Sequence, residues 1–534
     1  MSVNLLKKVR PEMYSTKKIN AAEFRDRIPL FAEKTKEFYE GKMNMKDYKG
    51  FSGKYGSYAQ RGGKANMLRL RMSAGRMTKE KLGFVAEAIK KHNVDLIHFT
   101  TCQALQLHNL QPEAVVDIMS DALDADIICY GGGGDYPRNV MCSPLAGTSA
   151  DEYFDVMPYA LAAANFLMQF IDLEKMPRKL KVAFSGSEKN VSHATFRDLG
   201  FVATPQGRFD VYAAGGLGNN PRFGTRVAES IDPLDILYYI VAMIHTFRKY
   251  GNYDNRAKAR TRYMVEALGS EEAFRNAFQA ELKEVMDKED LRLNPEDLEV
   301  VETTKKGDKT KVEESFQIRK QKQKGLYSVK WHPQGGSPDL QVFDRLTKLL
   351  ADMEDVELRL SPDETAWIIN LTGKEALQVA DLLKDNNARN EFETSISCIG
   401  NTICQVGLRD SQGLLKYVMA AVKAANLPDN ALPQIHISGC PSSCGTHQVG
   451  DLGFRGFLKV IDKKPYPAFL LYVGGNDEQG QEKMGKELGS VLQERIPELV
   501  VKIGQAVADS GLSYRQWRNA HPEAIEEIAA DYLV

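Results

Sequence analysis

Several things are scarce or missing in this chain, and each absence removes a class of protein. Excess charge is missing: 70 Lys and Arg against 71 Asp and Glu leave a net charge of −1, which offers no basic domain to a nucleic acid. Long hydrophobic runs are missing too. The two longest, residues 159–171 and 236–247, are too short or too interrupted to span a bilayer. The string MSVNLLKKVRPEMYS holds no apolar stretch of the length a signal peptide needs. Cysteine is scarce, seven in 534 residues, and without a secretion signal disulfides are not expected. The glycine runs 131–134 and 215–218 lack the spacing of a dinucleotide fingerprint, so no flavin or nicotinamide domain is expected. The expectation is a cytoplasmic globular protein, 43% apolar and 26% charged, long enough for about three domains.

What is there begins with the cysteines. Four of them form two tight pairs: Cys398 and Cys404, then Cys440 and Cys444 in HISGCPSSCG. Each pair can present two thiolates from one turn, and two such turns make the four-thiolate cage that an iron–sulfur cluster needs. Zinc is the competing reading, although structural zinc pairs usually have two to four residues between the cysteines and the first pair here has five. Cys102, Cys129 and Cys142 read as small buried hydrophobes.

The chain also repeats itself. Residues 185–201 read SGSEKNVSHATFRDLGF and residues 438–454 read SGCPSSCGTHQVGDLGF. Both open on Ser-Gly, close on Asp-Leu-Gly-Phe and lead to a strand that ends in a double glycine, VYAAGG at 211–216 and FLLYVGG at 469–475. Upstream, residues 77–110 predict an amphipathic helix, with Leu82, Val85, Ala86 and Ile89 on one face, then a strand near 95–101. Residues 339–371 repeat that unit, with Phe343, Leu346 and Leu350 on the helix and a strand at 356–360. Self-similarity at about half the chain length indicates duplication. A site at the interface of the halves is a favoured place for a large cofactor. Between them lies a polar stretch, 303–324, expected as a solvated linker with a basic end at Arg319, Lys320, Lys322 and Lys324.

Cations cluster in the first half. MLRLR at 67–71 places Arg69 and Arg71 on one side of a strand. Arg138 follows the glycine run, and Lys179 and Lys181 are expected on one strand face with Arg178 opposite. Charges on apolar strands are costly without partners, and an anionic ligand resolves that cost.

These motifs together resemble the siroheme- and [4Fe–4S]-containing nitrite and sulfite reductases, over nearly the whole chain. The resemblance rests on the two cysteine pairs, the MLRxR string, the Arg-Asn string at Arg138, the PRKxK string at Lys179 and Lys181, Gly215-Gly216 and the basic segment 255–268. It implies an α+β fold, internally duplicated: two ferredoxin-like half-domains forming one domain, plus two α/β siroheme/cluster domains related by pseudo-twofold symmetry. The implied division is an N-terminal extension wrapping the core (1–65), a first half-domain (66–124), a siroheme/substrate domain (125–302), the linker (303–324), a second half-domain (325–386) and a [4Fe–4S]/siroheme domain (387–534). It also implies siroheme and a [4Fe–4S] cluster as cofactors, with Cys398, Cys404, Cys440 and Cys444 on the cluster and Cys444 shared with the siroheme iron. Arg71, Gln103, Gln106, Gly215, Gly216 and Arg262 would hold the macrocycle. Arg69, Arg138, Lys179 and Lys181 would surround a small oxyanion substrate. The donor would be ferredoxin or a similar protein, with neither membrane nor nucleic acid as partner.

The expected reaction is six-electron reduction of sulfite to sulfide, because Lys181 stands where an asparagine is typical of plant-type nitrite reductases and a fuller cation set suits a dianion. Nitrite reduction to ammonia is the alternative, and a cofactor-binding protein with weakened catalysis the second. One position departs from the family: its Thr-x-Arg-Gln string appears here as Thr100-Thr101-Cys102-Gln103, so a siroheme carboxylate loses an arginine. Arg222, Arg226 or Lys322 is expected to substitute.

Overall fold

The computed structural model describes residues 14–15, 17–173 and 175–534. The signal-peptide reading and the start of the N-terminal extension rest partly on residues 1–13, which lie outside the described residues.

Duplication is written in the strand orders. The first small sheet runs Ser57–Ala59, Asn66–Arg71, Ala104–Leu110, Ile97–Phe99. Its counterpart runs Ile318–Lys320, Leu326–Trp331, Ala366–Thr372, Glu357–Leu360, and then takes Arg76–Met77 from the first half as a fifth strand. Each sheet carries one amphipathic helix that the apolar spacing predicted, Lys79–Lys91 and Leu340–Ala351, and these two helices pack on each other. Thr78 and Asp339 cap them by accepting first-turn amides. The apolar faces of both units fill one shared core, where Phe99 meets Trp331 edge-on at 5.5 Å.

The two larger sheets repeat in the same way. Met141–Cys142, Val182–Ser185 and Leu199–Ala203 are parallel neighbours, and Phe209–Ala213 and Thr225–Ile231 extend them antiparallel. Ile396–Ser397, Ile435–Ser438, Leu452–Ile461, Lys464–Val473 and Lys486–Leu492 follow the same order with the same directions. Each has its own core. The apolar runs noted above fall on Met157–Met168 with the short helix Phe170–Leu173, and on Ile236–Tyr250, and the first of these cores takes their buried sides. Among the described residues no helix is long and apolar enough to cross a membrane.

Two local expectations change. Lys179 and Lys181 precede their strand, which starts at Val182; Leu180 between them bridges Pro137 and holds the lead-in extended. The stretch from 303 is no free linker. Lys305 is buried, donating to Glu375 Oε2 at 2.6 Å and to the Glu354 carbonyl at 2.7 Å, and Ile318–Lys320 becomes a sheet edge. At its basic end Lys322 pairs with Glu152 at 2.7 Å.

Candidate active site

The four paired cysteines sit on loops that leave the ends of two neighbouring parallel strands, Ile396–Ser397 and Ile435–Ser438. Cys398 Sγ accepts the Gly439 amide at 3.1 Å and lies 3.2 Å from Ser411 Oγ. Cys404 donates its amide to the Gly400 carbonyl at 2.9 Å. Gly445 donates to Ser438 Oγ at 3.0 Å, and a Cβ there would stand 2.0 Å from the Ile437 carbonyl oxygen, so this turn requires glycine. All four thiols are free. Burial and the neighbouring Cys444 push Cys398 up to about 12. Cys444 is raised by burial, with Lys179 opposing, and the residue keeps accessible surface. Among the described residues no three His, Cys, Asp or Glu side chains converge as they would around one ion.

Across the cleft stand the cations. The carbonyls of the glycine run hold two of them: Arg69 Nη1 and Arg138 Nη1 both donate to Gly132 O, at 2.5 and 2.7 Å, and Arg138 Nη2 donates to Gly134 O at 2.8 Å. Gln106, its amide oxygen set toward Arg69, accepts from Nε at 3.2 Å and Nη2 at 2.6 Å. Arg71 is buried and donates to the carbonyls of Tyr130, Pro137 and Arg138. Arg262 donates to the Asn219 and Asn220 carbonyls, beside Gly216. Asp198, fully buried, organises the lysine side: it accepts from the Lys181 amide at 2.8 Å, from Arg260 Nη2 at 3.0 Å and from the Thr261 hydroxyl.

These groups repel one another. Burial pushes Arg71 down to about 9, and burial lowers Arg138 and Arg262 to about 10 each, with neighbouring arginines adding to the shift. Lys179 is held well below the usual ammonium range by burial, then by Arg260, Lys181 and Arg138. Lys181 is lowered by burial, with Cys102 opposing. Arg138 Nε, Arg260 Nε and Arg262 Nη1 are buried without an acceptor. A tetrapyrrole ringed with carboxylates supplies the acceptors and the negative charge this cluster lacks. The residues present therefore fit siroheme.

Some expected roles move. Gln103 has its whole amide committed to backbone: Nε2 donates to the Cys142 and Leu360 carbonyls at 2.8 and 2.6 Å, and Oε1 accepts the Cys142 amide at 2.8 Å. It clamps the sheets together and has no free donor to offer a macrocycle. Gly215 serves packing, since a Cβ would come within 2.8 Å of Phe196 Cα. Cys102 is no inert hydrophobe. It is half-buried, and although burial alone would raise its thiol, Lys181 and Arg197 pull it down to about 6. Cys129, raised to about 12 by burial, and Cys142, also raised by burial, are buried thiols as expected. The proposed substitutes for the missing arginine are engaged elsewhere: Arg222 with Glu271, Arg226 with Glu229, Lys322 with Glu152. Asp198 and Arg197 were missed, while Arg260 falls in the basic segment 255–268; the repeated Asp-Leu-Gly-Phe string was the available signal for Asp198.

A duplicated α+β scaffold with two cysteine pairs near a buried cation cluster fits a redox enzyme that handles small anions. Residues 58–125 match the nitrite/sulfite reductase ferredoxin-like half domain, and residues 133–286 match the nitrite and sulphite reductase 4Fe-4S domain. The chain belongs to the siroheme- and [4Fe–4S]-containing nitrite and sulfite reductases, and is an oxidoreductase. It is similar to the chloroplastic ferredoxin–nitrite reductase of Arabidopsis thaliana, 28% identical over 77% of this chain and 70% of that protein. It is also similar to the assimilatory ferredoxin-dependent nitrite reductase of Haloferax mediterranei, 25% identical over 94% of this chain and 90% of that one. The NirA protein of Mycobacterium tuberculosis has the same fold, with a TM-score of 0.73 at 21% identity, over 90% of each chain.

Proposed function

We propose that this protein reduces nitrite to ammonia in a six-electron reaction, with a ferredoxin-type protein as electron donor and sulfite as a second substrate. The reading corrects the expectation of sulfite as the main substrate. The curated relatives named above are nitrite reductases that use ferredoxin, and the site offers a physical reason. The sulfite expectation counted four full cations, but Lys181 acts on Cys102, whose thiol lies at about 6. At neutral pH the thiolate offsets one charge and leaves a field better matched to a monoanion.

When bound, the siroheme and cluster supply the electrons. Arg69 and Arg138, held by the Gly132 carbonyl, draw in the anion and hold its oxygens. Lys179 is the proton donor, because its lowered affinity for a proton makes transfer easier as each oxygen leaves as water. Its replacement charge returns from Lys181 or solvent. A cytoplasmic location belongs to the same proposal, supported by seven free thiols.

The observation that carries the reading is the buried, carboxylate-poor cation cluster opposite Cys444. The test is steady-state reduction of both anions by the purified holoenzyme, with a chemical donor and with ferredoxin. Nitrite kcat/KM should exceed that for sulfite. Preference for sulfite would reverse the assignment, and no turnover of either anion by protein carrying both cofactors would remove it.

A further inference from the structure

The wall of the cleft at Cys102 has a cation that no expectation included. Arg197 is buried, 6% exposed, and comes from the loop after the first Ser-Gly string. Its Nη2 lies 3.4 Å from the Thr101 carbonyl, next to Cys102, and the Thr101 hydroxyl in turn donates to the Cys444 carbonyl at 2.9 Å. Nε donates to the Ser192 carbonyl at 3.4 Å, and among the described residues no hydrogen bond engages Nη1. No carboxylate pairs with this guanidinium: neighbouring Asp198 is taken by Arg260, Thr261 and the Lys181 amide. The guanidinium's nearest negative group is the Cys102 thiol, and Nη1 stays open to a carboxylate.

Arg197 is also aimed. Its Nη2 meets His193 Nδ1 at 3.1 Å, while His193 Nε2 meets Asp477 Oδ2 at 3.0 Å. With Nε2–H donating to the carboxylate, Nδ1 is left as the acceptor for Arg197. His193 sits in a left-handed backbone conformation at φ 58°, its ring stacked on Phe196 at 4.8 Å. Asp477 comes from the other half of the duplication, and its carbonyl accepts from Asn190 Nδ2 at 2.9 Å. The second half thus orients a cation of the first.

We infer that Arg197 pairs with a siroheme carboxylate on the Cys102 side of the cleft, taking the place of the arginine absent at 102, and that Asp477 positions it through His193. The inference rests on the siroheme reading above.

The readout is siroheme retention in the purified holoenzyme: siroheme per chain by absorbance, and its rate of loss on dilution, with cluster iron and sulfide measured alongside. Arg197→Gln should lose siroheme about tenfold faster than wild type, the loss of one charge-assisted pair, with cluster content unchanged. Asp477→Asn should lose it several-fold faster with Arg197 intact. Arg197→Gln combined with Cys102→Arg should recover retention, because a guanidinium returns to the same wall. If Arg197→Gln fails to fold, Arg197→Lys, which keeps charge but loses the planar fork, should still speed the loss severalfold. Wild-type retention in Arg197→Gln, or in Arg197→Lys where that variant stands in, would overturn the inference. Wild-type protein without siroheme would instead overturn the function itself.

Discussion

Cys102 and Lys181 are electrostatic neighbours, and that pairing ties substrate choice to pH. Burial favours the neutral thiol, yet Lys181 and Arg197 hold its pKa near about 6, below the ordinary 9.0. The thiolate therefore forms as pH rises through about 6, and the charge Lys181 offers the substrate falls. Cys102→Ser keeps a hydrogen-bonding group that stays neutral across this range. The ratio of sulfite to nitrite kcat/KM should be higher in Cys102→Ser than in wild type at pH 7.5, and the two should converge toward pH 5. Comparing variant with wild type at each pH cancels the titration of the substrates. Equal ratios throughout would show that the thiol carries no charge in the working enzyme.

At the level of elements, two glycines separate packing from propensity. Gly83 lies inside Lys79–Lys91, and a Cβ there would meet nothing within 4 Å. Gly83→Ala should raise stability by about 0.5–1 kcal/mol, the gain from relieving glycine in a helix interior. Gly215 is the reverse case. Its Cβ would press on Phe196 Cα at 2.8 Å and on the Arg197 carbonyl at 2.9 Å, both backbone atoms that cannot swing aside. Gly215→Ala should cost about 1–3 kcal/mol and displace the loop that carries Arg197. Denaturant midpoints of the two variants check both signs, and a neutral Gly215→Ala would mean that this loop yields more easily than its contacts imply.

Across the whole molecule, the duplication puts Glu364 where the first half has Gln103. Both residues take positive φ, 53° and 64°, and Gln103 accepts the Cys142 amide as Glu364 Oε2 accepts the Ser397 amide, at 2.9 Å in the second case. His98 Nε2 approaches Glu364 Oε1 at 3.8 Å, but this is no ion pair. Burial pushes His98 down to about 4, leaving it uncharged at pH 7, and holds Glu364 well above the usual carboxylate range. A protonated carboxyl mimics an amide. Because the folded pKa is raised, the native state is favoured fully below the ordinary 4.5 and loses ground as pH climbs from there toward the folded value. Glu364→Gln has no proton to lose. Its thermal midpoint should match wild type near pH 4.5 and exceed it by a margin that widens through neutral pH. A midpoint below wild type at pH 7 would mean that the carboxylate is ionised and paired.

Local pattern made much of this protein legible. The helical spacing of Leu82, Val85 and Ala86 and of Phe343, Leu346 and Leu350 reappears as two buried faces in one core, because periodicity is a property of neighbours along the chain. The Asp-Leu-Gly-Phe repeat likewise marked equivalent turns: the Asp198 and Asp451 carbonyls each accept an amide from a later glycine-rich loop at 2.9 Å. The two cysteine pairs stood out by their spacing, and the cations by their residue types. Which cations face one another was not written locally. Lys181 meets Cys102, and Arg197 is oriented by Asp477, through chain separations that no motif spans. The charge state of a buried group is a sum over everything folded around it, so Cys102 and Glu364 acquire their chemistry only when distant segments of the chain pack around them.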